Sequence, residues 1–352
     1  MEKCLQRDLA GGLPYYTGED RKMEYRILGR TGIKVSAVGL GCSQIRGTLP
    51  PGEKGWTGLT DEEAIATIRH ARTVGVNLID TAEVYAYGHS EDVIGRAMEG
   101  HRQEYVVATK VTPLPGNEND PFYSTDLSDA SVYRRILQAC EGSLRRLRTD
   151  YIDVYQLHAD PPDGALTTVM DALTRLKQEG KVRAIGISTG NVDVIRKLIE
   201  AGELGMVQTQ YSLLNRDGEE VLNLAVAENL GVLLRNPIAS GALSGKYFNT
   251  TPQLDAADKR NDWFTSESAA NAFRKLSELL FLTADCRRTM VQASLRFDLD
   301  TPGVTAPIPG AKNRRQLEEN AGASDVPPLT SEERLRAMAI ADEAMRIWKR
   351  QN

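Results

Sequence analysis

The strongest constraint on the fold is an alternation of short apolar runs and helical patterns that repeats eight times along the chain. The runs are continuously apolar, which is typical of parallel strands buried on both faces. Repeated strand–helix alternation requires parallel pairing through crossover connections, so the sequence predicts an α/β fold. The eight predicted strands are residues 37–42, 76–79, 105–111, 152–157, 182–187, 206–210, 232–235 and 303–306.

Helical patterns fill the intervals between these strands. One begins at Thr60-Asp61-Glu62-Glu63, where a capping residue precedes acidic residues in the first turn. Glu179-Gly180-Lys181 supplies a glycine signal for the end of another helix. The other predicted helices are residues 90–98, 130–147, 166–179, 192–200, 218–228 and 287–297, with a terminal helix over 331–348.

Two architectures have this alternation: a closed (β/α)8 TIM barrel and an open doubly wound sheet. The open sheet would normally carry a glycine-rich dinucleotide turn after its first strand. Here that place reads Gly39-Leu40-Gly41-Cys42-Ser43-Gln44, without a third glycine, which favours the barrel. We predict one barrel domain over residues 23–352 after an N-terminal extension over 1–22. The long connections 43–59, 112–129 and 247–266 would lie at the C-terminal face, where barrel active sites lie.

Composition excludes several classes of function. The net charge of −5 disfavours nucleic acid and anionic membranes as partners. The four cysteines are dispersed, which disfavours a disulfide framework or a zinc site and fits a reducing compartment. No apolar run approaches the roughly 20 residues that span a bilayer, and the first residues lack the apolar core of a signal peptide. We expect a cytoplasmic protein without a metal site, and the sequence leaves its oligomeric state open.

Three successive predicted strands end in titratable residues. Asp80 directly follows the second strand, Lys110 lies at the end of the third, and His158 directly follows the fourth, while Tyr85 lies in the loop after Asp80. Alone, each has an ordinary interpretation as a helix cap, a surface lysine, a loop-packing tyrosine or a buried histidine. Because parallel strands end at the same face, the joint pattern favours a catalytic group.

These four residue types suit the reduction of a carbonyl. A tyrosine has an ordinary pKa of about 10, so it donates a proton poorly unless a nearby ammonium stabilises the phenolate. A carboxylate would keep that ammonium charged and oriented. A histidine can donate a hydrogen bond to the carbonyl oxygen. We therefore expect Tyr85 to act as the general acid, with Lys110, Asp80 and His158 supporting it.

Longer segments around these residues resemble the aldo-keto reductase family. DTAEVY at residues 80–85, followed by GHSE at 88–91, is similar to the signature around the family's catalytic Asp and Tyr. LRRLRTDYIDVYQLH at 144–158 resembles a second signature that ends in the family's histidine, and Lys110 stands at the lysine position. Residues 183–188 resemble the fifth strand and 308–320 the coenzyme segment, so the resemblance extends over about residues 23–320.

The resemblance implies NADPH bound in an extended form, without a Rossmann fold. Ser188 and Gln210 would hold the nicotinamide carboxamide, the loop from Asn236 would cover the pyrophosphate, and the segment from Gly310 would bind the adenosine end. The basic cluster Lys312, Arg314 and Arg315 suits a 2′-phosphate. The implied coenzyme residues are Cys42, Ser188, Thr189, Gln210, Arg235, Asn236, Pro237, Leu243, Lys246, Gly310, Lys312, Gln316, Glu319 and Asn320.

Three of these positions depart from the family pattern. Thr189 replaces an asparagine of many relatives, and Gln316 stands where some have an arginine for the 2′-phosphate. Arg235 replaces an aromatic residue that lies against the nicotinamide, and its planar guanidinium can also stack on a ring. Our hypothesis is that Arg235 tunes coenzyme affinity or turnover. Unchanged NADPH and NADP+ affinities in Arg235→Tyr would contradict it.

The resulting prediction is an oxidoreductase that transfers a hydride between NADPH and an aldehyde or ketone, with a sugar or a biosynthetic keto intermediate among the candidates. The predicted substrate residues are the loop aromatics Trp56, Phe122, Tyr123, Trp263 and Phe264. Two alternatives remain at this point. One is a coenzyme-sensing subunit of the channel-associated type, and the other is a barrel without a redox role.

Overall fold

The computed structural model describes residues 23–47, 54–112, 128–162, 164–250, 252–285 and 287–349, and the predicted extension over 1–22 lies outside them. Eight parallel strands form one sheet: β3 (Leu40–Gly41), β4 (Leu78–Asp80), β5 (Val106–Val111), β6 (Ile152–Leu157), β7 (Val182–Ser188), β8 (Leu204–Gln210), β9 (Gly231–Arg235) and β10 (Ala306–Pro307). Their order in the sheet is β10-β9-β8-β7-β6-β5-β4-β3.

The first and last strands of this sheet meet and close it into a barrel. The backbone N–H of Gly39 donates to the carbonyl of Pro307 at 2.9 Å, and that of Gly41 donates to Pro309 at 3.0 Å. Hydrogen bonding therefore continues around the ring, which removes the exposed edges of an open sheet. The (β/α)8 prediction is confirmed, and each of the eight predicted strands overlaps an observed one.

Helices surround the barrel. Thr60 caps the first as predicted: its Oγ accepts the N–H of Glu63, whose carboxylate accepts the N–H of Thr60. Gly180 has a φ of +74° just after Gln178, which ends the fourth helix as its glycine signal indicates. Within the described residues, the α-helices are Asp61–Thr73, His89–Met98, Asp129–Leu147, Leu166–Gln178, Val192–Ala201, Glu219–Ala227, Asn261–Phe264, Glu267–Leu276, Met290–Leu299, Arg314–Ala321 and Ser331–Lys349. The 3₁₀ helices are Arg102–Glu104, Ala239–Ser244, Ser277–Thr283 and Gly322–Ser324.

A hairpin that the sequence did not predict precedes the barrel. Strands β1 (Tyr25–Ile27) and β2 (Lys34–Ser36) pair antiparallel. Leu28, Ile33 and Val35 are buried in the same cluster as side chains from the barrel interior. The hairpin thus closes the base of the barrel with apolar side chains. Each of its strands is only three residues long, which is too short for a clear apolar pattern.

The side chains inside the barrel lie in layers, because alternate residues of a strand point to the same face. The lower interior layer is apolar and consists of Leu78, Ala108, Val154, Ala184, Met206, Leu233 and Ala306. Two residues further along each strand, the next layer is largely polar and consists of Asp80, Lys110, Gln156, Gly186, Gln208, Arg235 and Ile308. Because of the two-residue period of a strand, titratable and amide side chains lie directly above the apolar layer in the barrel interior.

Gly186 provides a test of this layered packing. A Cβ at Gly186 would lie 2.2 Å from Met206 Sδ and 3.0 Å from Gln156 Cγ. We expect Gly186→Ala to lower the free energy of unfolding by about 1–3 kcal/mol, the usual cost of overpacking. Gly190→Ala is the matched control, because a Cβ there would have no neighbour within 4 Å. Urea unfolding of both variants measures the difference, and equal stabilities would contradict the packing described here.

The connection after β9 differs most from prediction. The short helix Asn261–Phe264 lies within the segment predicted as a loop, and the following helix Glu267–Leu276 was not predicted. Phe264 is 2% exposed and contacts Tyr247, Phe273 and Trp348 with ring centroids 5.1–5.9 Å apart. Its ring therefore packs under the terminal helix, while its expected role in lining the substrate pocket stays a prediction. Among the described helices, none is long and apolar enough to cross a membrane.

Candidate active site

Asp80, at the end of β4, is the centre of the polar interior layer. Its Oδ1 accepts a hydrogen bond from Lys110 Nζ at 2.6 Å. Its Oδ2 accepts from the side-chain amides of Gln208 at 2.8 Å and Gln156 at 3.2 Å. Both carboxylate oxygens are therefore paired with donors from three other strands, as a buried carboxylate requires.

Lys110 is fully buried and makes two hydrogen bonds. Besides Asp80, its ammonium donates to the carbonyl oxygen of Thr81 at 2.7 Å. Burial disfavours the charged form, but Asp80 and Tyr85 outweigh that effect, so the pKa of Lys110 is raised. Lys110 is therefore an ammonium held in one position, 5.1 Å from the centroid of the Tyr85 ring.

Tyr85 is held by an unusual turn. The residues that follow it, Ala86, Tyr87 and Gly88, have φ values of +50°, +56° and +89°. A left-handed conformation costs a non-glycine residue about 1–2 kcal/mol, and such strain is concentrated at functional sites. Ser90 N–H donates to the carbonyl of Tyr85 at 3.3 Å and closes the turn.

The pKa of Tyr85 differs from the sequence-based expectation. Burial raises it, the charge of Lys110 opposes this, and the charge of Asp80 adds to it, so the pKa lies above its ordinary value. We expected Lys110 to give a net lowering, but the desolvation of the phenolate is the larger effect. Tyr85 thus keeps its proton at neutral pH, and Lys110 stands where it can stabilise the phenolate that forms when that proton leaves.

His158 follows β6 and lies beside Tyr85. The two ring centroids are 5.6 Å apart, with an interplanar angle of 78°. Burial lowers the pKa of His158 to about 3, with further lowering by Lys110 and Arg235. The imidazole is therefore neutral at physiological pH. It can donate an N–H hydrogen bond to a substrate oxygen, but it carries no extra proton to transfer to that oxygen.

The neutral His158 gives stability a pH dependence. Between about pH 6.5 and pH 3, an unfolded chain binds a proton at this position that the folded chain does not bind. The free energy of unfolding should therefore fall as the pH is lowered below about 6.5. Between pH 7 and pH 5, we expect the protein to lose up to about 2 kcal/mol more than His158→Gln loses. Urea unfolding at both pH values tests this, and equal losses would contradict it.

A second buried ion pair attaches the Tyr85 turn to the end of β5. The carboxylate of Glu83 pairs with Arg135 and accepts the backbone N–H of Thr112 at 2.9 Å. The backbone N–H of Glu83 donates to the carbonyl of Lys110 at 3.2 Å. Burial raises the pKa of Glu83 despite the opposing charge of Arg135. Glu83 therefore fixes the turn relative to the strand that carries Lys110.

The residues expected at the nicotinamide lie at neighbouring strand ends. Ser188 ends β7, and the N–H of the next residue, Thr189, donates to the carbonyl of Gln208 at 2.9 Å. Gln210 ends β8, and its Oε1 accepts from Arg235 Nη1 at 3.2 Å. Ser188 and Gln210 thus lie on neighbouring strands at the barrel mouth, each two residues beyond a member of the polar interior layer.

The loop after β9 is shaped by left-handed residues. Asn236, Ala239 and Ser240 have φ values between +48° and +57°, and Asn236 Oδ1 accepts the N–H of Ser240 at 2.6 Å. Pro237 and Leu243 are buried beneath the loop, whereas Lys246 is exposed. The loop thus has a fixed shape with an exposed cation at its end.

The segment expected at the adenosine lies next to this loop. A Cβ at Gly310 would be 2.8 Å from Gln44 Oε1, so only a glycine fits without a shift. Asn320 Nδ2 donates to the carbonyl of Gly310 at 3.2 Å, and Gln316 Oε1 accepts the N–H of Lys312 at 2.8 Å. Glu319 is half-buried in the same helix, with its carbonyl accepting from Gln292.

Cys42, at the end of β3, differs from the other implied coenzyme residues. Its thiol is completely buried, with Sγ 3.8 Å from the carbonyl oxygen of Leu40. Burial raises its pKa, and the charge of Asp80 adds to that effect. The thiol is therefore a protonated part of the barrel wall.

Cations gather where the loops after β3 and β9 meet. Gly55 N–H donates to the carbonyl of Ala257 at 2.9 Å, and Lys259 N–H donates to that of Gly55 at 3.0 Å. Lys259 Nζ and Arg260 Cζ lie 4.5 and 5.1 Å from the centroid of the Trp56 ring. These hydrogen bonds bridge the two loops, and both cations lie over the indole of Trp56.

The cations outnumber their carboxylate partner. Asp258 pairs with Arg260 at 2.7 Å. Burial lowers the pKa of Lys312, and the charges of Arg260 and Lys246 lower it further. Arg314 and Arg315 are exposed and form no ion pair within the described ranges. A donor set with surplus positive charge fits the phosphates of a dinucleotide coenzyme.

The remaining predicted substrate aromatics have different positions. Trp56 belongs to the loop bridge, and Trp263 is 47% exposed in the short helix Asn261–Phe264. Phe122 and Tyr123 lie outside the described residues. Among described residues, no group of three or more His, Cys, Asp or Glu side chains forms a candidate metal site.

Sequence reasoning missed Gln156, Gln208 and Glu83, which support the predicted catalytic group. The signal was present: both glutamines interrupt apolar strands, and each lies two residues beyond a small or apolar interior residue. Applying the strand period from Asp80 and Lys110 around the barrel would have identified both as interior residues.

Comparison with known proteins places the chain among oxidoreductases. The model of the Aldo/keto reductase family matches residues 39–342. An uncharacterised oxidoreductase of Bacillus subtilis is 32% identical over 313 residues, which cover 88% of this chain and 94% of that protein. The NADH-specific methylglyoxal reductase of Escherichia coli is 31% identical over 311 residues, 85% of this chain and 93% of that protein. A putative voltage-gated potassium channel subunit beta of Schizosaccharomyces pombe is 30% identical over 341 residues, 89% of this chain and 92% of that protein.

Solved structures agree with the fold. The holo form of an aldo-keto reductase from Bacillus halodurans has a TM-score of 0.72 and 29% identity, covering 91% of this chain and 96% of that one. An aldo-keto reductase from Klebsiella pneumoniae in complex with NADPH has a TM-score of 0.67 and 26% identity, covering 90% and 94%. Because the family model and these relatives extend over nearly the whole barrel, the chain belongs to the aldo/keto reductase family, whose members bind a nicotinamide coenzyme.

Proposed function

We propose that this protein is an NADPH-dependent reductase of aldehydes or ketones, in which Tyr85 is the general acid. The observation that carries the proposal is the buried Lys110–Asp80 pair beside a tyrosine that keeps its proton. A surface lysine would not be fully buried. A helix-capping aspartate would not have both carboxylate oxygens bonded to side chains of other strands. Family membership supports the same class of reaction.

The bound coenzyme would supply a hydride to the carbonyl carbon. Tyr85 donates its phenol proton to the carbonyl oxygen, on which negative charge develops. Lys110 stabilises the resulting phenolate, since a fixed ammonium next to a developing charge needs no reorganisation. Asp80, with its two glutamine donors, keeps that ammonium in position. His158, being neutral, orients the carbonyl oxygen by an N–H hydrogen bond.

The proposed preference for NADPH rests on charge. Lys312 lies in the cationic group between the loops, and the exposed Arg314 and Arg315 begin the adjacent helix. A 2′-phosphate adds negative charge that such residues bind well. The Escherichia coli relative is named as NADH-specific, so both coenzymes belong in the test. The reducing environment expected from the unpaired, buried Cys42 and Cys140 fits our proposal of a cytoplasmic enzyme.

The testing experiment follows the absorbance of the reduced coenzyme with NADPH and with NADH, across a panel of aldehydes, ketones and keto-sugars. Coenzyme binding is measured separately by fluorescence. Turnover with a higher kcat/KM for NADPH supports the proposal. Turnover with NADH alone would refute the coenzyme preference while retaining the reductase.

The similarity to the putative channel subunit favours one other candidate, a coenzyme-sensing partner protein. Tight NADPH binding without turnover on any member of the panel, together with capture by a membrane channel, would favour that role. Turnover on any member of the panel would favour the enzyme instead.

A further inference from the structure

Arg235 is a cation at the substrate end of the barrel that the proposed proton transfer does not use. It lies two residues beyond Leu233, which belongs to the interior cluster and pairs in register with Gln208. The period of a strand therefore points Arg235 toward the barrel axis. Gln210, its register partner, accepts a hydrogen bond from its Nη1 and orients the guanidinium.

The charge of Arg235 has no carboxylate partner within the described part of the chain. Asp80 is occupied by Lys110 and two glutamine amides, and His158 is neutral. One positive charge therefore remains at the mouth of the site. Arg235 lowers the pKa of both Tyr85 and His158, which places it within electrostatic reach of the groups that face the reacting oxygen.

We propose that Arg235 binds the carboxylate of the substrate, so the preferred substrates are small carbonyl compounds with a carboxylate close to the reacting carbonyl, such as 2-oxo acids. This inference rests on the proposed reductase function. Two parallel N–H groups of a guanidinium match the two oxygens of a carboxylate. With the carbonyl oxygen at Tyr85 and His158, a neighbouring carboxylate would meet Arg235.

The chemistry is that of the proposed reaction with one added contact. The carbonyl carbon gains the hydride, the oxygen gains the proton of Tyr85, and the reduced coenzyme becomes oxidised. A 2-oxo acid thus becomes a 2-hydroxy acid, while its carboxylate is unchanged. The carboxylate also neutralises the surplus charge, which a bound substrate without a carboxylate would cover and leave without a partner.

The experiment compares matched acid and ester substrates. The probes are pyruvate with methyl pyruvate, and 2-carboxybenzaldehyde with its methyl ester. The readout is the ratio of kcat/KM for the acid to that for the ester. A change in coenzyme affinity or folding alters both members of a pair equally, so it cancels in this ratio.

We expect Arg235→Gln to lower the ratio about ten- to hundredfold, the usual value of a charge-assisted hydrogen bond. Arg235→Lys should retain part of the ratio, because lysine keeps the positive charge but lacks the two parallel N–H groups of the guanidinium. Lys246→Gln is the matched control: it removes an exposed cation from the coenzyme loop, so both substrates should change in parallel. The wild-type ratio should also fall with added salt.

Four outcomes would overturn the inference. An unchanged ratio in Arg235→Gln for both pairs would remove Arg235 from substrate recognition. Parallel losses for acid and ester, with weaker NADPH binding, would assign it to the coenzyme. Turnover of neutral carbonyls without any Arg235-dependent preference would leave the proposed function intact and reject this substrate class. Absence of turnover on every carbonyl would reject both.

Discussion

Tyr85→Phe is expected to lower kcat/KM for carbonyl reduction about a thousandfold, within the range usual for loss of a general acid. The variant keeps the ring that contacts His158 and lies 5.1 Å from Lys110, and it removes the hydroxyl alone. Coenzyme affinity and the midpoint of thermal unfolding should therefore stay near those of the wild type. Steady-state kinetics with either coenzyme and fluorescence titration measure these quantities.

Tyr87→Phe is the matched control for this experiment. Tyr87 lies on the same left-handed turn, but its side chain is 54% exposed. Loss of its hydroxyl should change kcat/KM less than about threefold, since surface changes away from bonded groups have small effects. Wild-type turnover in Tyr85→Phe would refute the assignment of Tyr85 as the acid.

Asp80→Asn is expected to lower both stability and turnover. The substitution leaves the buried ammonium of Lys110 without its charged partner, which costs about 3–5 kcal/mol for a pair of this kind. The pKa of Lys110 should fall, because burial then acts without the opposing carboxylate. The phenolate of Tyr85 loses its stabilising charge, so kcat should also fall. Urea unfolding and steady-state kinetics on the same preparation follow the two effects.

The double variant Asp80→Asn with Lys110→Met separates the two effects. It removes the uncompensated charge, so most of the lost free energy of unfolding should return, whereas turnover should remain low. If Asp80→Asn unfolds with the wild-type free energy, the buried pair does not have the energetic role that its geometry indicates. Restored turnover in the double variant would refute the role of Lys110 in the reaction.

The barrel could be predicted from the sequence because its strands are buried on both faces. Residues 152–157 and 182–187 are largely apolar runs bounded by helical patterns, and both strands lie within a residue of the predicted limits. Asp80, Lys110 and His158 were found for the same reason, since each directly ends such a run or follows it. The structure brings these three together with Tyr85 in one site, while their catalytic roles remain predictions.

What the sequence could not supply depends on contacts between distant segments. The hairpin strands are too short to show a pattern, and the ring of Phe264 is buried because Trp348 packs over it. The direction of the Tyr85 pKa shift depends on how completely the ring is desolvated, and no spacing reveals that. Gln156 and Gln208, by contrast, were within reach of the sequence, because the strand period counted from Asp80 and Lys110 places both inside the barrel.

The apolar hairpin at the base also bears on how this protein can diverge. The side chains of Leu28, Ile33 and Val35 hold the barrel closed at the end opposite the loops that would select a substrate. Substitutions in those loops leave this foundation untouched, so new specificities can arise with little change in the free energy of unfolding. The Asp80–Lys110 pair is the exception, since it belongs to the core and to the chemistry at once. The number of tolerated substitutions should therefore increase from the Asp80–Lys110 pair toward the loops at the barrel mouth.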